Sequence, residues 1–220
     1  MTTRRDRLFD VAADHFVRFG FRKASISGIT HEAKVSKGAL YLEFATKDDL
    51  FTQVVYREFR LYLQDALARV QNDPEGGRLS RIYRHCLAAL LKREFLVSLY
   101  TDTDGALTGL LVQHGPERYG PRVVLGETFL ARLQQAGLVT PTIPAASLSH
   151  TLSVLTTGPL LAEPLLRRED SPPLRETLGA ISDMISTSFE ISGPDVSEGK
   201  EAFADLVQAL ISELDPERLA

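Results

Sequence analysis

The stretch Ser25-Ile26-Ser27-Gly28-Ile29-Thr30-His31-Glu32-Ala33-Lys34-Val35-Ser36-Lys37-Gly38-Ala39-Leu40-Tyr41-Leu42-Glu43-Phe44 constrains this chain more than any other. It predicts two short helices joined by a tight turn. Ser25 is a good N-cap for a helix running from Ile26 to Ala33, in which Ile26, Ile29 and Ala33 face inward while Ser27 and Thr30 sit on other faces. Val35 anchors the turn, and Ser36 caps a second helix that starts at Lys37. Leu40 and Phe44 point inward and Tyr41 projects from a different face. Gly38 and Ala39 carry almost no side-chain bulk, so the backbone there can approach another molecule closely, and a helix start favours an anion.

That is the design of a helix-turn-helix, which puts the start of its second helix into the DNA major groove. The flanking sequence fits the same head. Leu8, Phe9, Ala12, Ala13, Phe16 and Phe19 recur at spacings of three and four, predicting an amphipathic helix from Arg5 to Phe19 that ends at Gly20. Phe21 then returns to the core. Thr46 caps a third helix, with Asp49 three residues on. Lys47 lies at the start of that helix, where the dipole disfavours a cation unless it meets a phosphate.

From Ser25-Ile26 to Leu50-Phe51 the sequence resembles the N-terminal DNA-binding domain of the TetR family of transcriptional regulators. The run Val35-Ser36-Lys37-Gly38-Ala39-Leu40-Tyr41, then Phe44 and Lys47, and the leading helix with Phe16, Phe19 and Gly20 carry the likeness. It covers about the first 55 residues; beyond residue 60 it rests on length and an all-helical pattern. Three residues depart from the family's pattern. Lys34 stands at the turn position where Gly is usual, and Leu42 and Glu43 where His, Tyr or another neutral residue is common. A carboxylate facing a phosphate is repelled, so Glu43 is expected to turn away or pair with a cation.

The resemblance implies an all-α protein of about ten helices: a DNA-binding domain over residues 1–50, with its helix-turn-helix at about 26–44, and a ligand-binding and dimerisation domain over 51–220. It implies DNA contacts from Ser36, Lys37, Gly38 and Ala39 at the groove floor or first phosphates, and from Ser27 on the preceding helix. Tyr41, Lys47 and the Ser25 hydroxyl would reach phosphates. The expected partners are a pseudo-palindromic duplex operator, a second copy of the chain joined through C-terminal helices, and a small molecule that releases the DNA. No cofactor and no metal are implied. The alternatives are a helical regulator governed by a protein partner, and a helical enzyme with an incidental helix-turn-helix.

The rest of the chain agrees with a helical body. A helix from Lys47 to about Val70 is apolar nearly all round (Leu50, Phe51, Val54, Val55, Phe59, Leu61, Tyr62, Ala66, Leu67), so it is contacted from several sides and links head to body. Gln71 to Gly77 breaks it. Further helices are predicted over 78–100, 102–113, 122–136 (ended by Gly137), 145–167 with a kink at Gly158-Pro159 and Pro164, 174–191, and 197–214 with Ser197 as its cap. Phe59, Tyr62, Tyr83, Cys86, Phe95, Leu99, Tyr100, Leu110, His114, Phe129, Leu133 and Thr151 mix apolar bulk with polar tips, which suits a small-molecule pocket as well as a helical core. Leu152, Val154, Leu155, Leu160, Leu161 and Leu165, with Ile181, Met184, Ile185 and Phe189, offer two late helices more apolar surface than one small body needs, as a dimer interface would.

Composition narrows the function classes. Of 220 residues 44% are hydrophobic and 25% charged, which fits a globular chain. The net charge is −4, yet residues 1–60 carry 11 Lys/Arg against 8 Asp/Glu and the remainder 14 against 21, a basic end on an acidic body. No signal-peptide core or membrane-length apolar run occurs, and the single Cys86 suits a reducing cytoplasm. The histidines at 15, 31, 85, 114 and 150 share no metal-ligand spacing. His85 and Cys86 are helix neighbours about 100° apart and cannot act as a base–nucleophile pair, so a buried structural thiol is the better reading. No nucleotide-binding or hydrolase glycine pattern is present.

Overall fold

The computed structural model describes residues 3–101, 126–166, 171–193 and 195–214. These form ten helices: α1 (Arg4–Lys23), α2 (Ile26–Ala33), α3 (Lys37–Tyr41), α4 (Lys47–Asn72), α5 (Leu79–Leu90), α6 (Glu94–Thr101), α7 (Glu127–Gln135), α8 (Ala145–Leu166), α9 (Leu174–Phe189) and α10 (Ser197–Glu213). Among the described residues the sole β pairing is one bridge, Val139 to Glu190. No helix of these residues is long and apolar enough to cross a membrane.

The ends of the head helices are set by neighbours in sequence. Thr3 and Asp6 form a reciprocal capping box at α1. Gly20, at φ 69°, breaks the helical path inside α1, a left-handed conformation that glycine adopts without strain. Leu8, Phe9, Ala12, Ala13 and Phe16 are buried as the stripe predicts, whereas Phe19 is 44% exposed, with the Arg18 guanidinium over its ring. Thr46 accepts from the Asp49 amide and starts α4, while the Asp49 carboxylate accepts from Ala45 N.

Helix α4 runs through the molecule. It packs against α1, α5, α6 and α10, which accounts for its lack of a wholly polar face. Its end is closed by backbone contacts at glycine. A Cβ on Gly77 would stand 1.8 Å from Val196 O, and one on Gly199 would stand 2.0 Å from Gly77 O. The loop after α4 therefore touches the first turn of α10 backbone to backbone. Asp73 beside it accepts from the Arg81 guanidinium and pairs with His85, both at 2.7 Å.

Two breaks differ from the sequence expectation. The helix predicted over 78–100 is two, α5 and α6, parted at Leu91–Arg93 without glycine or proline. The break lets α6 turn onto α1, where Phe95 meets Phe16 and Phe51. Arg93 at the break reaches the buried Glu58 carboxylate of α4, which also takes Arg57, and Arg57 in turn holds Asp10 of α1. Secondly, Ser197 is the first residue of α10 and not its cap; the Asp195 carboxylate accepts from Ser197 N and Oγ. α8 is one helix through Gly158, Pro159 and Pro164. The helix expected over 102–113 lies outside the described residues. α10 packs on its own subunit, burying Ala202, Phe203 and Val207 against α4 and α7.

Candidate functional site

The helix-turn-helix is assembled from short-range contacts. Ser25 Oγ accepts from Gly28 N at 3.1 Å, and Ser36 Oγ accepts from Ala39 N at 3.1 Å, so both serines are the N-caps their positions predict. Between the helices Lys34 adopts φ 57°, ψ 44°, and Val35 N donates to Thr30 O across it at 3.0 Å. This is a Schellman turn made with lysine where glycine would be unstrained. Thr30, expected on an outer face, is buried, and its hydroxyl donates to Ser27 O.

Helix α2 is fixed to α1 by one carboxylate. Glu32 takes the Arg18 guanidinium on both oxygens at 2.8 Å and His15 Nε2 at 2.9 Å. The Arg18 hydrogen bond first, then the nearby positive charge, hold its carboxyl below the ordinary value. The His15 ring lies against Gly28, where a Cβ would come within 2.7 Å of Cε1, so any larger residue there would displace the imidazole.

Of the predicted DNA-contact residues, Ser25, Ser27, Ser36, Lys37, Gly38 and Tyr41 are exposed and Ala39 is half-buried, all on or beside α2 and α3. Lys47 is placed differently from its expectation. Its ammonium donates to Phe21 O at 2.8 Å and to Arg22 O and Ala24 O at 3.3 Å, and sits 4.5 Å from the Phe21 ring centroid. The cation at the start of α4 is thus accommodated by the carbonyls that close α1. Glu43 pairs with Arg5 of α1 at 3.7 Å, the second of its two expected outcomes.

The twelve candidate pocket residues divide. Tyr62 on α4 and Tyr83 and Cys86 on α5 are buried together, and the Tyr83 hydroxyl accepts from Thr156 Oγ1 of α8 at 3.3 Å. Burial pushes the Cys86 thiol up to about 12, against a hydrogen bond from Tyr62. A thiol so raised stays protonated and is no nucleophile at neutral pH. Phe59 is buried beside Tyr62, and Leu99 and Leu133 are buried on α6 and α7. Phe95 belongs instead to the aromatic joint with the head, and Phe129 meets Phe203 of α10 edge to face. Thr151 faces solvent and bonds back to Ser147 O. An inward hydroxyl of α8 is Thr156, five residues on, which the sequence did not single out because α8 is rich in Ser and Thr on every face. Leu110 and His114 lie outside the described residues, as does the side chain of Tyr100. Among the described residues no group of three or more His, Cys, Asp or Glu is placed to hold a metal.

A helical chain with a helix-turn-helix head on a larger helical body is, as a class, a DNA-binding regulator. Residues 8–54 match the family model described as bacterial regulatory proteins, tetR family. Over these residues the chain carries a DNA-binding domain of the TetR type. It is 32% identical over 75 residues to the A-factor receptor protein of Streptomyces griseus, a match spanning 34% of this chain and 24% of that protein. Two solved structures share the fold at low identity. The ketosteroid transcriptional regulator KstR2 of Mycobacterium tuberculosis superposes with a TM-score of 0.56 at 17% identity, covering 87% of this chain and 97% of that one. A gamma-butyrolactone receptor described as ArpA-like gives 0.53 at 19% identity, covering 94% and 97%.

Proposed function

We propose that this regulator is a homodimeric repressor that binds a pseudo-palindromic operator through residues 1–50 and releases it when a small molecule enters the body formed by residues 51–220. The observation that carries the reading is α4, one helix that begins clamped to the end of α1 by Lys47 and ends locked against α5 and α10. A displacement among the body helices reaches the head through it. A ligand preferring one head spacing and DNA preferring the other would then oppose each other reciprocally. The similarity to a receptor protein over 75 residues supports control by a small molecule. Ser36, Lys37, Gly38 and Ala39 would enter the groove, Ser27 would support them, and Ser25 and Tyr41 would face phosphates. Tyr62, Tyr83, Cys86 and Thr156 supply the polar points of a site otherwise lined by Phe59 and Leu99.

The dimer face is assigned to α8 and α9. From Ala145 to Leu161 the α8 sequence has no Asp, Glu, Lys or Arg, although five of the 16 positions from 145 to 160 are exposed. Val154 is 54% exposed there and Met184 of α9 58%. Two heads held by a two-fold axis read two half-sites.

A gel shift with the DNA upstream of the protein's own gene tests the reading. Binding in low salt, reversed by a compound that also raises the melting temperature, is the expected result. No shift in low salt would overturn it; a shift with no stabilisation by any metabolite would transfer control to a protein partner. Val154→Glu should leave a folded monomer by sedimentation, with much weaker operator binding.

A further inference from the structure

Leu42 is 89% exposed, the most exposed large hydrophobic side chain among the described residues. Its setting gives it a use. Its φ of −72° and ψ of −26° are helical and its amide donates to Gly38 O at 3.1 Å, so it continues α3 by one residue. Leu42 is therefore one turn above Gly38 and Ala39, on the same face. It lies about 200° around the helix from Leu40, which is fully buried, so it points as directly away from the core as the helix allows. A Cβ added to Gly38 would meet nothing within 4 Å, so this face is open.

Gly38, Ala39 and Leu42 present only carbon. Of the neighbouring side chains, Ser36 Oγ accepts from the Ala39 amide in capping α3, and the Glu43 carboxylate, which could accept from a cytosine amino group, pairs with Arg5. In the major groove only thymine offers a matching carbon, its 5-methyl group.

We propose that Leu42, one turn above Gly38 and Ala39, is a specificity-determining residue that selects thymine in each half-site by contact with its 5-methyl group. The proposal rests on the head binding DNA in the major groove through α3, and its test separates the two. The full-length protein is used to select duplexes from a random-sequence pool in low salt, and each thymine of the recovered duplex is replaced in turn by uracil, which lacks only the methyl. For the unmodified protein one symmetry-related thymine pair should lose about fourfold in affinity per substitution, the effect of one unburied methyl group. In Leu42→Ala the same substitutions should make no difference. Leu42→Gln should move the selected base at that position from thymine toward adenine, which glutamine reads through N6 and N7. Melting curves of both variants, expected to match the parent because the side chain packs on nothing, check that they fold. Uracil effects of equal size in the parent and Leu42→Ala would overturn the assignment while leaving DNA recognition intact. A pool with no enriched sequence and no shifted duplex would overturn both.

Discussion

The head and the body of this protein are specified over different ranges of the chain. In the head, each helix start is capped by a residue three positions away: Thr3 with Asp6, Ser25 with Gly28, Ser36 with Ala39 and Thr46 with Asp49. In the body, α5, α7, α9 and α10 have no side-chain cap from their own N-cap residue. They are tied instead to distant partners. Glu190 accepts from Ser80 N at 2.6 Å, and Asp183 takes Arg84 at 2.6 Å. Arg132 of α7 reaches Glu198 and Asp205 of α10. A locally capped head can keep its shape while the body rearranges, as the proposed control by a ligand requires.

The largest effect expected from disturbing this contrast lies where body backbones touch. Gly77→Ala forces a Cβ into the Val196 carbonyl and should cost about 3 kcal/mol or more in urea unfolding. A loss under about 1 kcal/mol would mean that the loop and α10 part easily. Next is Asp73, whose carboxyl is held well below the usual carboxylate range, first by the Arg81 hydrogen bond and then by His85 and the Glu75 amide, against desolvation. A carboxyl depressed in the folded state stabilises it fully above its unfolded value near 3.8 and loses that contribution as pH falls below it. Asp73→Asn should therefore cost about 2 kcal/mol at pH 7 and progressively less as pH falls from about 4 to about 2. Equal losses at both pH values would remove charge from the explanation.

In the head the effects should be smaller. Lys47→Ala removes three hydrogen bonds to the end of α1 and should lower stability by about 1 kcal/mol while leaving the salt dependence of DNA binding unchanged. A slope flattened by about one charge would return Lys47 to the phosphate contacts. Smallest of all, Lys34→Gly should stabilise the protein by up to about 1 kcal/mol, since glycine takes the left-handed turn without strain. A loss would show that the lysine side chain makes a contact worth more than its backbone strain.

The same division decides which features are legible in the amino-acid sequence. Ser25, Ser36 and Thr46 announce helix starts because a cap acts over three residues, and Gly20 and Gly137 mark left-handed positions that few other residues tolerate. The break between α5 and α6 carries no such signal. Nothing in Leu91-Lys92-Arg93 forbids a helix; the turn follows from Phe95 packing on Phe16 and Phe51 and from Arg93 meeting Glu58 of α4. Lys47 is legible as an oddity, but its α1 carbonyls, 23 to 26 positions away, are not. Thr151 and Thr156 have the same side chain on the same helix, and only the packing of α8 sets one outside and the other against Tyr83.

By itself, then, the sequence determined the all-α class, the helix starts of the head, and the off-pattern residues at 34, 42 and 43, because periodicity and capping are local physics. Tertiary structure alone decided that Glu43 turns to Arg5 and that Leu42 is left facing outward above Gly38 and Ala39. It also decided that α10 closes on its own subunit through Gly77 and Gly199. Those outcomes depend on which distant surfaces meet, and no spacing along the chain encodes that.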